Sequence, residues 1–178
     1  MEKKIIVING TGGSGKDTFV KYVAECAEVI NFSSIDKTRE VVKWAMDTYC
    51  GYNGDYVEEK TEAYRKLLSE NKRITREWFD GPFKEITSVI KDFLESEHEI
   101  MFIHSREADE IKRIVDNFGA LTLLVKRAGL ENINSNASDA NVDNYDYDIV
   151  IINDDLDQLR SDAEVLVNDL RGNKVKRK

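Results

Sequence analysis

The chain has 178 residues, 34 acidic and 26 basic, giving a formal net charge of −8. That length is one domain's worth, with room for a substantial core, and the excess of acid excludes a broad cationic footprint for a nucleic-acid polymer. With 41% hydrophobic and 34% charged residues, the composition is that of a folded soluble protein and not a disordered one.

No apolar run nears the roughly 18 residues that a membrane-spanning helix needs. The stretch after Met1-Glu2-Lys3-Lys4 is too short for a secretory signal core. Cys26 and Cys50 form neither a disulfide framework nor a zinc spacing. These features predict a cytoplasmic protein with reduced thiols and no membrane partner. The one basic cluster, Arg171, Lys174, Lys176, Arg177 and Lys178, reads as a frayed, solvated tail.

Lys4 to Asn9 is a β-branched run that ends at Gly10, the pattern of a strand buried on both faces. A glycine-rich turn and a helix from Lys16 to Glu25 follow, with Phe19, Val20 and Val23 on the apolar face. Val29 to Phe32 is a second strand, and Ser33 or Ser34 is placed to cap a helix from Ile35 to Tyr49. Cys50 to Asp55 reads as a loop, Val57 to Asn71 as a charged amphipathic helix, and Ile74 to Phe79 as a further helical piece. Asp80-Gly81-Pro82 breaks it, with Pro82 in the first turn of a helix running to Ser96.

Ile100 to Ile103 is a third strand, Arg106 to Phe118 a helix closed by Gly119, and Leu121 to Val125 a fourth strand. Arg127 to Tyr147 is polar, rich in Asn, Asp and Ser, and about 20 residues long, which makes it either disordered or functional. Ile149 to Ile152 is a fifth strand and Leu156 to Leu170 a final helix. The alternation predicts an α/β fold: a three-layer α/β/α sandwich around a five-stranded parallel sheet.

Gly10-Thr11-Gly12-Gly13-Ser14-Gly15-Lys16 has the glycine and lysine spacing of a phosphate-binding loop, with an apolar strand before it and a helix after it. Glycines let the backbone wrap an anion, and the N–H groups of a helix N-terminus then meet the phosphate oxygens. Lys16 is placed to reach the β- and γ-phosphates of ATP. Asp17 stands where the motif has Ser or Thr to hold magnesium, and Thr18 comes one position later. Either could serve the Mg2+ ion, or Asp17 could simply favour the helix dipole.

Gly15-Lys16-Asp17-Thr18 resembles the loop of P-loop nucleoside and deoxynucleoside monophosphate kinases, with the phage-type deoxynucleotide enzymes of the adenylate-kinase-like group nearest in pattern. Animal-type phosphomevalonate kinases carry a similar loop. The resemblance implies one kinase domain over 1–178, with an acceptor-binding helical insertion at about 34–96 and a lid-like segment at about 127–147. It implies ATP and Mg2+ as cofactors, with Gly10, Gly12, Gly13, Ser14, Gly15, Lys16, Asp17, Thr18 and Asn153 around the donor. Ser138-Asp139 also resembles a lid element of the phage-type enzymes.

Under the same resemblance Lys16, Arg106 and Arg127 are the catalytic cations, with Lys126 beside Arg127 at the opening of the lid. Ser33, Ser34, Asp36, Lys43, Arg65 and Asp80 are acceptor-site candidates. The third strand ends His104-Ser105-Arg106-Glu107, with no aspartate to orient magnesium; Glu107 or Asp109 could act in its place through water. The expected activity is γ-phosphoryl transfer from ATP to a small nucleoside monophosphate. The alternatives are a kinase for another phosphorylated or hydroxyl metabolite, phosphomevalonate among them, and a nucleotide-binding regulatory module without turnover. No Asn-Lys-x-Asp guanine-reading segment is present, which argues against a GTPase.

Overall fold

The computed structural model describes residues 2–49, 51, 61–127, 129, 142 and 145–175. Two compact units emerge: Met1–Phe32 with Ile90–Lys178, and Ser33–Val89.

The first unit is built on five strands: β1 (Lys4–Asn9), β2 (Val29–Ser33), β3 (Ile100–His104), β4 (Leu121–Arg127) and β5 (Ile149–Asn153). Their order across the parallel sheet is β2-β3-β1-β4-β5. Ile8 lies beside His104 on one flank of β1 and beside Leu123 on the other. The expected α/β fold with a five-stranded parallel sheet is present. Connections from β1 run toward β2, while those from β3 cross to β4. Directions therefore reverse between β1 and β3, and ligands of open α/β sheets meet the carboxyl ends of strands at such a reversal.

Both faces of the sheet are covered at its central strands β1, β3 and β4, which is why these are apolar runs rather than alternating ones. One face carries Ile6, Ile8, Ile100, Phe102, Leu121, Leu123 and Val125. It packs against α1 (Lys16–Ala24) through Phe19, Val20 and Val23, and against the final helix, labelled α6 (Leu156–Arg171), through Leu159, Ala163 and Leu166. The other face meets α5 (Ala108–Phe118), whose Ile111 and Ile114 are fully buried. Each such side chain contributes roughly 1.5–3 kcal/mol by leaving water. Gly119, at φ +66°, ends α5 in the left-handed conformation as expected of a glycine there.

The second unit holds α2 (Ser34–Tyr49), α3 (Glu62–Phe79) and the first part of α4 (Gly81–Glu95). Thr61 caps α3 by accepting from the Tyr64 N–H. One helix stands where two pieces were expected: nothing between Asn71 and Ile74 breaks it, and Asn71 and Lys72 carbonyls accept from the Thr75 hydroxyl. The predicted start at Val57 lies outside the described residues. Ser34 is the first residue of α2, inside the helix rather than a cap ahead of it. Arg171 is no frayed tail. It ends α6 and donates to the Cys26 carbonyl at 3.1 Å and to Glu99 Oε2 at 2.8 Å, which holds the Glu99 carboxyl below its usual range.

Candidate functional site

The loop from Gly10 to Gly15 joins the end of β1 to the start of α1. A Cβ on Gly10 would lie 2.5 Å from Ser14 Oγ and 2.6 Å from the Val125 carbonyl oxygen, so only hydrogen fits beneath the arch. Gly13 and Gly15 adopt φ of +79° and +94°, a region that residues with a Cβ rarely enter. A Cβ on Gly12 or Gly13 would meet nothing within 4 Å, so the outer side of the loop is open.

Gly15 is the N-cap residue of α1 and supplies no side-chain cap. The first helical N–H groups therefore face outward at the positive end of the helix. Ser14 is fully buried, and its Oγ makes no hydrogen bond. A buried hydroxyl left without an acceptor, an uncapped helix start and an open arch together fit the oxygens of a phosphate chain.

Lys16 opens α1 and is half-buried; Asp17 beside it is exposed, and Thr18 is half-buried. His104, at the end of β3, holds Asn31 Oδ1 at 2.7 Å through Nε2, and its Nδ1 stands 3.8 Å from Asp17 Oδ1. Asp17, Asn31 and His104 thus form one polar rim beside the loop, built from α1, β2 and β3. Arg106 is half-buried in the segment between β3 and α5. Ser105 donates to Glu110 Oε2 at 2.6 Å, and both are buried. Glu110 was not singled out in the sequence; it lies in the first turn of α5, where acids are common at a helix start.

Among the described residues no three His, Cys, Asp or Glu side chains gather as a ready-made metal site. Magnesium needs less than that: one or two carboxylates, with substrate phosphates and water completing its shell. Asp17, at the first turn of α1, has the right chemistry for that part, and Thr18 follows it.

Arg127 ends β4, exposed, in register with Asn153 at the end of β5; Lys126 is exposed beside it. Asn153 is buried, and its Nδ2 donates to the Ser14 carbonyl at 2.9 Å. Of the polar stretch after Arg127, only residues 129, 142 and 145–147 are described, so the expected lid and Ser138-Asp139 lie outside the described residues. Val142 and Tyr147 are buried.

The acceptor candidates belong to the second unit. Ser34 is buried at the start of α2. Asp36 pairs with Arg39, and Lys43 with Asp47 at 3.0 Å. Arg65 is exposed on α3, and Asp80 closes α3 at φ +58°. Ser33 precedes them at the end of β2.

No protein-family model matches the chain, and no curated protein matches it. Solved structures do. The chain is similar to TT1252 from Thermus thermophilus, at 14% identity and a TM-score of 0.52 over 94% of this chain and 98% of that one. It is similar to dephospho-CoA kinase from Campylobacter jejuni, at 12% identity and a TM-score of 0.52 over 94% of this chain and 97% of that one. At these identities the likeness establishes the fold alone, an α/β arrangement around a five-stranded parallel sheet. No helix among the described residues is long and apolar enough to cross a membrane.

Proposed function

We propose that this protein is an ATP-dependent phosphotransferase whose acceptor is a nucleoside or deoxynucleoside monophosphate. The observation that carries the reading is the arch of Gly10 to Gly15 at the sheet's reversal point, open outward, with Ser14 Oγ buried and unbonded. The fold alone selects no substrate.

Phosphoryl transfer asks little covalent chemistry of a protein; positioning and charge neutralisation do most of it. In this reading the loop N–H groups and Ser14 hold the donor phosphates. Lys16, Arg106 and Arg127 gather positive charge around the transferring group. Asp17 or Thr18 would hold Mg2+, which would offset the negative charge of the phosphates. Ser33, Ser34, Asp36, Lys43, Arg65 and Asp80 are the residues assigned to the acceptor. A phosphate acceptor is already ionised and needs no general base, whereas a hydroxyl acceptor calls for one.

The test is ADP release from Mg-ATP, coupled to a reporter, against a panel of ribo- and deoxynucleoside monophosphates plus phosphomevalonate. Release stimulated by one or a few monophosphates bears the reading out. Release with phosphomevalonate alone keeps the phosphotransferase and replaces the acceptor. ATP binding with no release for any acceptor points instead to a regulatory module, and the lack of an aspartate at the end of β3 is the feature that favours it.

A further inference from the structure

The phosphate loop is held from beneath by two buried side-chain amides, one at each end. Asn9, at the end of β1, is 1% exposed, and its Oδ1 accepts from the Gly10 N–H at 2.8 Å. Its Nδ2 donates to the Tyr147 hydroxyl at 2.7 Å, which in turn donates to the Val142 carbonyl at 3.0 Å. At the other end, Asn153 Nδ2 donates to the Ser14 carbonyl, and a Cβ on Gly15 would lie 2.3 Å from that same nitrogen.

These contacts have a direction. Gly10 N–H and Ser14 C=O are turned inward, toward the amides, and each has its partner there. A buried amide with both ends engaged cannot rotate without leaving donors and acceptors unmet, which is costly in a water-poor site. Tyr147 fixes which way Asn9 points: it accepts from Nδ2 and so turns Oδ1 toward Gly10. Neither Asn9 nor Tyr147 reaches the open side of the loop where an anion would sit.

We infer that Asn9 and Asn153 are positioning residues that hold the loop in its anion-ready arch, and that Tyr147 sets the orientation of Asn9 and so ties nucleotide affinity to the Tyr147 hydroxyl and the Val142 carbonyl. The inference rests on the reading of the loop as the ATP site. It assigns Asn153 to the underside of the loop, where the resemblance implied only a place around the donor.

The experiment uses the full chain and two near-isosteric variants, Tyr147→Phe and Asn153→Asp. Affinities for Mg-ATP and for inorganic triphosphate are measured by calorimetry, and amide exchange of Gly10 and Ile6 by NMR. Loss of one neutral hydrogen bond predicts a roughly three- to tenfold drop for both ligands in Tyr147→Phe. Gly10 exchange should accelerate while Ile6, in the core of β1, stays protected. Asn153→Asp sets a carboxylate oxygen against the Ser14 carbonyl, near the anion, and should lose more, with the deficit shrinking in high salt.

Unchanged affinities with unchanged Gly10 exchange overturn the inference. So does a loss in which Gly10 and Ile6 exchange faster together, since that marks general loosening. If the unaltered protein binds neither ligand, the ATP reading fails, and Gly10 exchange in Tyr147→Phe still decides the positioning role. Should Asn153→Asp not fold, Tyr147→Phe carries the test alone.

Discussion

Gly15 and Asn153 touch so closely that a single added methyl group on the glycine would overlap the amide nitrogen, at 2.3 Å. The same glycine sits at φ +94°, so strain and collision act together at the junction of loop and helix. Gly15→Ala is expected to lower stability by about 1–3 kcal/mol and to weaken Mg-ATP binding at least tenfold. Thermal unfolding and calorimetry check both numbers; a variant that binds ATP normally would show that the loop tolerates another path.

Lys16→Ala removes a half-buried cation from the first position of α1. The fold should survive, because the loop is held by the Asn153 amide on the Ser14 carbonyl and by the close seat of Gly10 against Ser14 and Val125. Phosphoryl transfer should fall by about two to three orders of magnitude, the usual effect of removing one charge-stabilising group. Unchanged turnover in the ADP-release assay would remove the loop from the mechanism.

Arg106 and Arg127 differ in burial, half-buried against exposed, although both are assigned to the transferring phosphate. Charge in a less solvated place acts more strongly. Arg106→Ala should therefore cost more in kcat than Arg127→Ala, and the Arg127 effect should show more dependence on ionic strength. Steady-state kinetics at two salt concentrations separate them; equal and salt-independent losses would contradict the ranking.

Glu85 on α4 offers a pH prediction. Burial pushes its carboxyl above the usual value, with Lys37 opposing and Glu40 and Asp36 adding to the rise. A raised value means that the fold favours the neutral acid. That contribution is complete below the ordinary carboxylate value of 4.5 and is lost as pH rises through the raised one. Glu85→Gln, neutral at all pH, should therefore be slightly more stable than the parent at pH 7, by up to about 0.5 kcal/mol after solvent screening, with the gain vanishing toward pH 4. Denaturant midpoints across that range check it, and a variant less stable at pH 7 would reverse the sign.

The strand interiors were legible because β1, β3 and β4 are apolar runs buried on two faces, and β2 and β5 are short, mostly apolar segments. Their carboxyl ends were not. Strands β2 through β5 each continue past the apolar run into Ser33, His104, Lys126-Arg127 and Asn153. Backbone pairing has no preference for apolar side chains, so hydropathy stops where the ladder does not. Those polar ends are also where the candidate site lies. The glycine spacing revealed the loop, since it is local in sequence. Its supports were invisible because Asn9 and Tyr147 are 138 positions apart and Asn153 and Ser14 are 139 apart. Asn9 did carry a trace of its role: an amide closing an apolar run, just ahead of the first glycine.

The order in which the chain leaves the ribosome gives these long separations a consequence. The Gly10–Gly15 segment is synthesised ahead of its supports: β1 pairs with β3 and β4, whose strands begin at Ile100 and Leu121. The Val125 carbonyl under Gly10 and the Asn153 amide under Ser14 arrive later still. Such non-local closure makes folding slow and keeps the nascent β1 unpaired until β3 and β4 have emerged. A product stalled before β5 would display the full glycine motif without the Asn153 amide under Ser14.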